Sequence, residues 1–182
     1  MFHDGDLYIR PVVRDDLDFL RYLRSDPAVW SQLGTLVAPT EASQEAWLSS
    51  LKDSRKQYHI IASDKFVYPV GLARMDEIDH QNRSIRIGAD IAKEFRGQGL
   101  GTQTYNLLLR YCFDFLNMHR VWLAVMNTNA IALGLYKKMG FREEGRQRDA
   151  IFRNGIYNDY ILMSILEDEY RAEIQQEKDA KA

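Results

Sequence analysis

One cysteine, four prolines and four histidines are spread over 182 residues. Cys112 alone cannot close an internal disulfide, and it falls on the apolar stripe of a predicted helix, where burial rather than nucleophilic chemistry is its expected use. Scattered histidines with no cysteine cluster lack the ligand spacing of a metal site, so no metal is expected. Neither sign of charge dominates. With 24 basic against 26 acidic side chains the formal charge is -2, which provides no broad positive surface for nucleic acid. No apolar run reaches membrane-spanning length, and the acidic start Met1 to Asp6 has neither the basic region nor the apolar core of a secretory signal. The expectation is a cytoplasmic protein with no nucleic-acid or membrane partner.

Over the full sequence 46% of the residues are hydrophobic, enough to fill one core. Leu7 to Arg10 alternates like a first strand, and Arg14 to Leu23 has apolar residues at helical spacing. After a Pro- and Gly-punctuated stretch from Asp26 to Pro39, Thr40 caps a second predicted helix through Asp53, with Ala46, Trp47 and Leu51 inward. Tyr58 to Ala62, Val67 to Met75 and Ser84 to Ile91 read as an antiparallel meander. From Gly99 to Asn117 the period becomes helical, with Leu107, Leu108, Cys112, Phe115 and Leu116 on one face. A short strand at Val121 to Val125 is followed by a helix from Asn129 to Met139, stopped by Gly140. Phe141 to Phe152 and Ile156 to Leu166 flank an Asn154-Gly155 turn as a hairpin. Glu167 onward is charged and helix-prone, and Lys178 to Ala182 reads as a loose end. The pattern predicts one α/β domain over residues 1–182, with a structured core at about 7–170 and a charged tail at 171–182.

The densest chemical signal is Arg96-Gly97-Gln98-Gly99-Leu100-Gly101 between a strand and a helix. Glycines there let backbone N–H groups converge on an anion at the helix N-terminus. A lone Gly-x-Gly more often marks a tight turn, but three glycines in five residues favour phosphate. No Gly-x-x-x-x-Gly-Lys run exists for a nucleoside triphosphate. The third position of a dinucleotide fingerprint is Thr102 instead of glycine, and no acid ends the next strand.

Arg-x-x-Gly-x-Gly after a strand, then Asn129, then Leu135-Tyr136-Lys137-Lys138-Met139-Gly140-Phe141, resembles the GCN5-related N-acetyltransferases. The ending Gly140 to Gly145 with Asn154 to Asp159 is similar to their ribosomal-protein and spermidine N-acetyltransferase branch. The resemblance spans about Leu7 to Tyr170. It implies a mixed, mostly antiparallel sheet with a splayed central strand pair and flanking helices. It also implies acetyl-coenzyme A as co-substrate and transfer of acetyl directly to a primary amine through a ternary complex.

Carried onto this chain, the resemblance implies that Ile91, at the end of the splayed strand, contacts the cofactor arm through its backbone. Arg96, Gly97, Gln98, Gly99, Leu100, Gly101 and Thr102 would hold the pyrophosphate, and Asn129 the arm, a role compatible with an N-cap. Tyr136 matches the general acid that protonates the leaving thiolate; on its own it would read as a buried helix tyrosine. Relatives often carry a base glutamate where Arg86 and Ala124 stand here. Glu77 is the candidate base, with a water chain as the equal alternative. Trp30, Tyr157 and Asp159 are candidate acceptor contacts, while Trp30 and Trp47 serve equally well as core anchors. Acceptors left open are a protein N-terminus, a polyamine, and an amino sugar or similar small amine. A homodimer is also left open, and a catalytically idle acyl-coenzyme A sensor is the alternative to an enzyme.

Overall fold

In a computed structural model, residues 1–32, 40–51 and 55–179 are described. The stretch from Asp26 to Pro39 therefore falls partly outside the described residues, and Asp53 and the last three residues lie outside them.

The chain opens with β1 (Phe2–Asp4) and β2 (Leu7–Pro11), then a 3-10 turn at Arg14–Asp16 that leads into α1 (Leu17–Ser25), α2 (Pro27–Trp30) and α3 (Glu41–Ser50). Thr40 caps α3 as its sequence predicts: its hydroxyl accepts from the Ser43 N–H, and the Ser43 hydroxyl accepts from the Thr40 N–H. The meander comes next as β3 (Gln57–Ser63), β4 (Gly71–Asp79) and β5 (Ser84–Ile91). After it stand α4 (Leu100–Arg110), a π-turn at Tyr111–Phe115, β6 (Arg120–Met126), α5 (Ala130–Lys138), the hairpin β7 (Arg142–Arg153) and β8 (Ile156–Leu166), and α6 (Glu167–Asp179). None of the helices searched is long and apolar enough to cross a membrane.

Eight strands form one mixed sheet in the order β1-β2-β3-β4-β5-β6-β8-β7. This is the expected α/β class. Its two faces bury different sets. Ile61, Ala73, Met75, Ile85, Ile87, Val121, Leu123, Met163 and Ile165 pack with Leu107, Leu108, Cys112 and Phe113 of the α4 segment. On the other face Ile60, Ala62 and Leu72 pack with Leu17, Leu20 and Leu23 of α1. Strand alternation puts successive side chains on opposite faces, so α1 and α4 cover opposite sides of the same strands.

Four details differ from the sequence reading. The strand expected from Val67 begins at Gly71, and Val67 and Tyr68 stand 94% and 74% exposed; Pro69, which has no N–H to give a ladder, holds this stretch out of the sheet. Ala46 is exposed and Gln44 is the buried residue of α3. Phe115, expected inward, is 65% exposed, because the π-turn adds a residue to the helical ladder and rotates the end of the helix off the stripe. Ordered structure also exceeds 7–170 at both ends: β1 adds to the sheet edge, and α6 runs on to Asp179 with Ile174 against the core. Cys112 is fully buried, and burial pushes its thiol far up, which makes it inert.

Candidate active site

Two central strands part company. Parallel pairing of β5 with β6 holds only where Ser84, Ile85 and Arg86 face Arg120, Val121 and Trp122. Beyond that point Ile87 to Ile91 stay laddered to β4 on one side, and Leu123 to Met126 stay laddered to β8 on the other. The facing edges are free, giving a wedge with backbone donors and acceptors along its walls. Ile91 sits at its open end, and its carbonyl accepts from Arg96 Nε at 2.9 Å.

The glycine loop lies just past that end. Gly97 and Gly99 adopt φ of +75° and +78°, with nothing within 4 Å of where a Cβ would stand. Gly99 is the N-cap of α4. Among the described residues the N–H groups of Gly97 through Thr102 have no partner within the protein; the first bond back into the loop is from the Gln103 N–H to the Gly99 carbonyl. Six consecutive unspent donors at a helix start, in open space, fit a diphosphate. The side chains contribute differently from the expectation. Arg96 pairs with Asp26 at 2.7 Å, and Gln98 donates to the Glu94 carbonyl, so both brace the loop. Asn129 accepts from the Ala132 N–H at 3.1 Å as the cap of α5.

A cavity of about 960 Å³ opens from the wedge on the α1/α3 face. Tyr136 of α5 lines it. Burial raises the Tyr136 phenol above its ordinary value, although the hydrogen bond with Tyr105 pulls the other way; a phenol so placed keeps its proton at neutral pH. The expected positions Arg86 and Ala124 line the same cavity, together with Asp76, Glu77 and Asp90. Every one of these carboxylates has a cation. Arg74 pairs with Asp90 at 3.1 Å, and Arg86 pairs with Asp76 at 2.5 Å and with Glu77 at 3.1 Å. Glu77 remains the freest, with its side chain 54% exposed. It also adopts a φ of 50° in the irregular stretch where the β4–β5 register shifts.

The acceptor side of the cavity combines aromatic and amide surfaces. Trp47, Tyr58, Trp122 and Tyr160 contribute rings, and the Arg86 and Arg120 guanidinium groups each lie 5.6 Å from the centre of the Trp122 ring. Gln32 and Gln44 also line it, and among the described residues the side-chain oxygen of each is buried without a hydrogen-bond partner. Gln44 is only 5% exposed. Sequence reading missed both glutamines; the signal available was a polar residue on the inward stripe of α3, which is costly unless something binds it. Trp30, Tyr157 and Asp159 are not brought to the cavity wall. Trp30 is 37% exposed, Tyr157 packs at a tilt against Phe152 near the hairpin tip, and Asp159 is engaged by Arg146 and by the Asp149 N–H.

Comparison with known proteins agrees with this geometry. The acetyltransferase (GNAT) domain family matches residues 6–142. The spermidine N(1)-acetyltransferase of Escherichia coli K12 is 33% identical over 173 residues, covering 91% of this chain and 88% of that protein. Among solved structures, the spermidine N-acetyltransferase of Vibrio cholerae in complex with CoA and spermine superposes with a TM-score of 0.86 at 29% identity, covering 91% of this chain and 98% of the other. A dodecameric structure of the Vibrio cholerae enzyme gives a TM-score of 0.78 at 29% identity, covering 91% and 96%.

Proposed function

The chain belongs to the acetyltransferase (GNAT) family, and on that footing we propose that the primary amine it acetylates is that of a polyamine. It is an acetyl-coenzyme A-dependent N-acetyltransferase, and the idle-sensor alternative gives way. When bound, acetyl-coenzyme A supplies an activated acetyl thioester. The residues present fit it: six free N–H groups at Gly97 to Thr102 suit its diphosphate, and the unpaired edges of β5 and β6 suit an amide-bearing arm.

One observation carries the acceptor reading. Trp47, Tyr58 and Tyr160 line the cavity together with the amide side chains of Gln32 and Gln44. Ring faces favour a cation, and side-chain amides suit a ligand with N–H groups to exchange, which together describe a polyammonium chain. The relatives' substrates support the same reading. In the reaction the free edge of β5 is available to donate to the developing oxyanion, and Tyr136 gives its proton to the departing sulfur. Glu77 or a water chain takes the proton from the incoming ammonium. The cavity wall is not uniformly acidic, however. Arg24 lines it with no carboxylate partner among the described residues, which favours a second reading in which the acceptor also bears a carboxylate, as an amino acid does.

Free-thiol release with acetyl-coenzyme A and a panel of spermidine, spermine, amino acids and short peptides decides between them. The proposal expects spermidine or spermine to give the highest kcat/KM; amino acids alone turning over would refute it. Gln44→Met should raise KM for the polyamine roughly tenfold and leave KM for acetyl-coenzyme A and the melting temperature unchanged. A cytoplasmic reaction is part of this reading, since the thioester it consumes is held there. So is self-association, which light scattering tests.

A further inference from the structure

Tyr136 has a companion with no part in the acetyl transfer so far. Tyr105, one turn into α4, is 3% exposed, and its hydroxyl lies 2.9 Å from that of Tyr136. The two rings meet edge to face with centroids 5.1 Å apart, and Phe141 lies against both. Among the described residues the Tyr105 hydroxyl has a hydrogen bond to Tyr136 and to nothing else. A phenylalanine would fill the same space without a polar atom to satisfy, so the hydroxyl is there for its partner.

Reaction chemistry fixes which oxygen donates. As the amine attacks, a C–N bond forms and the C–S bond breaks. The Tyr136 proton moves to sulfur, leaving a phenolate. A phenolate can only accept, and the one phenol within reach is Tyr105. With Tyr105 donating from the outset, the Tyr136 hydrogen is left free to point at the sulfur. The proton released by the amine returns to Tyr136 through water, which closes the balance.

We infer that Tyr105 is a positioning residue for this transfer, donating to the Tyr136 oxygen so that the acid's own hydrogen is presented to the leaving sulfur and the phenolate formed is held by a buried hydrogen bond. The inference rests on the reading of Tyr136 as the acid. The other groups facing Tyr136 are Arg74 of β4 and Asp90 of β5, which oppose each other and are themselves paired. Burial, then the charge and hydrogen bond of Tyr136, push the Tyr105 phenol well above its ordinary value, as befits a donor that keeps its proton.

The test is the pH dependence of kcat at saturating acetyl-coenzyme A for the wild type, Tyr105→Phe, Tyr136→Phe and the double variant. Activity carried by protonated Tyr136 is lost as pH rises through its pKa. Removing the Tyr105 donor raises that pKa, so Tyr105→Phe should move the alkaline limb upward. It should also lower kcat roughly tenfold to hundredfold, with KM for acetyl-coenzyme A unchanged. In the Tyr136→Phe background the second change should cost nothing further. Should Tyr105→Phe fold poorly, 3-fluorotyrosine at position 105, a stronger donor, should move the limb downward. If Tyr136→Phe is slow but the limb and kcat are untouched by either change at 105, this inference fails and the acid assignment survives. If Tyr136→Phe retains full kcat, the acid assignment fails and this inference with it.

Discussion

Replacing Gly99 by asparagine and by aspartate separates backbone strain from charge at the loop. Gly99 holds a φ of +78°, and the space beside it is open to 4 Å, so neither side chain meets a clash. Both residues enter the left-handed region more readily than most, at a shared cost of about 1 kcal/mol. For a chain of this length that lowers the melting temperature by about 2–4 °C. The free aspartate variant should melt no lower than the asparagine variant, because a carboxylate at a helix N-terminus is favourable. Adding the ligand reverses the ranking. With a phosphate on the N–H groups of Gly97 to Thr102, the carboxylate faces a like charge at roughly 5 Å, a repulsion of about 0.8 kcal/mol at the dielectric of water and about 3 kcal/mol at an effective value of 20. Titration calorimetry with coenzyme A should therefore show roughly fourfold to 150-fold weaker binding by Gly99→Asp than by Gly99→Asn, and the gap should narrow in high salt. Equal affinities for the two variants would refute the placement of the diphosphate.

Gly71→Ala should act through sterics alone. A Cβ there overlaps the Asp90 carbonyl oxygen and comes within 3.1 Å of the Asp90 carbonyl carbon and 3.2 Å of Ile91 Cα. Backbone cannot yield cheaply, so thermal unfolding should show a loss of about 2–3 kcal/mol, and the wall of the wedge should shift enough to raise KM for acetyl-coenzyme A; an unchanged melting temperature contradicts this. His59 predicts an acid limb. Among the described residues its Nδ1 is buried without a partner, and burial, with the N-terminal ammonium adding to it, lowers its pKa from 6.5 to about 4. The unfolded chain takes up this proton first, so stability present above pH 6.5 is lost as pH falls toward 4, by up to about 3 kcal/mol. His59→Leu should flatten that window in denaturant titrations, and an unaltered slope removes His59 from the account.

The features legible in the sequence are those in which one residue type answers one local demand. Thr40 as a cap, Gly140 after α5, and Asn154-Gly155 between β7 and β8 are all found where their chemistry requires. The glycine loop was legible for the same reason, since only backbone approach and positive φ explain its composition. Features that depend on the whole fold were not. Gln44 looks misplaced until the cavity is seen, and the Tyr105–Tyr136 pair is 31 residues apart in sequence. Arg96 looks like a phosphate ligand until α2 brings Asp26 beside it. The pairing of Arg74 and Arg86 with the local acids likewise arises from strand register, which no single strand reveals.

The short parallel seam between β5 and β6 means that the sheet is two panels, β1 to β5 and β6 to β8, riveted at Ser84 to Arg86. The Arg83 carbonyl, accepting from the His119 and Arg120 N–H groups, closes the seam at one end, and beyond Arg86 and Trp122 the facing edges are open. On the proposed placement of the acetyl-coenzyme A arm in this wedge, the arm would act as a ninth strand, borrowed for each turnover. Grip on the co-substrate and stiffness of the protein would then be the same set of hydrogen bonds, made and released together in every catalytic cycle.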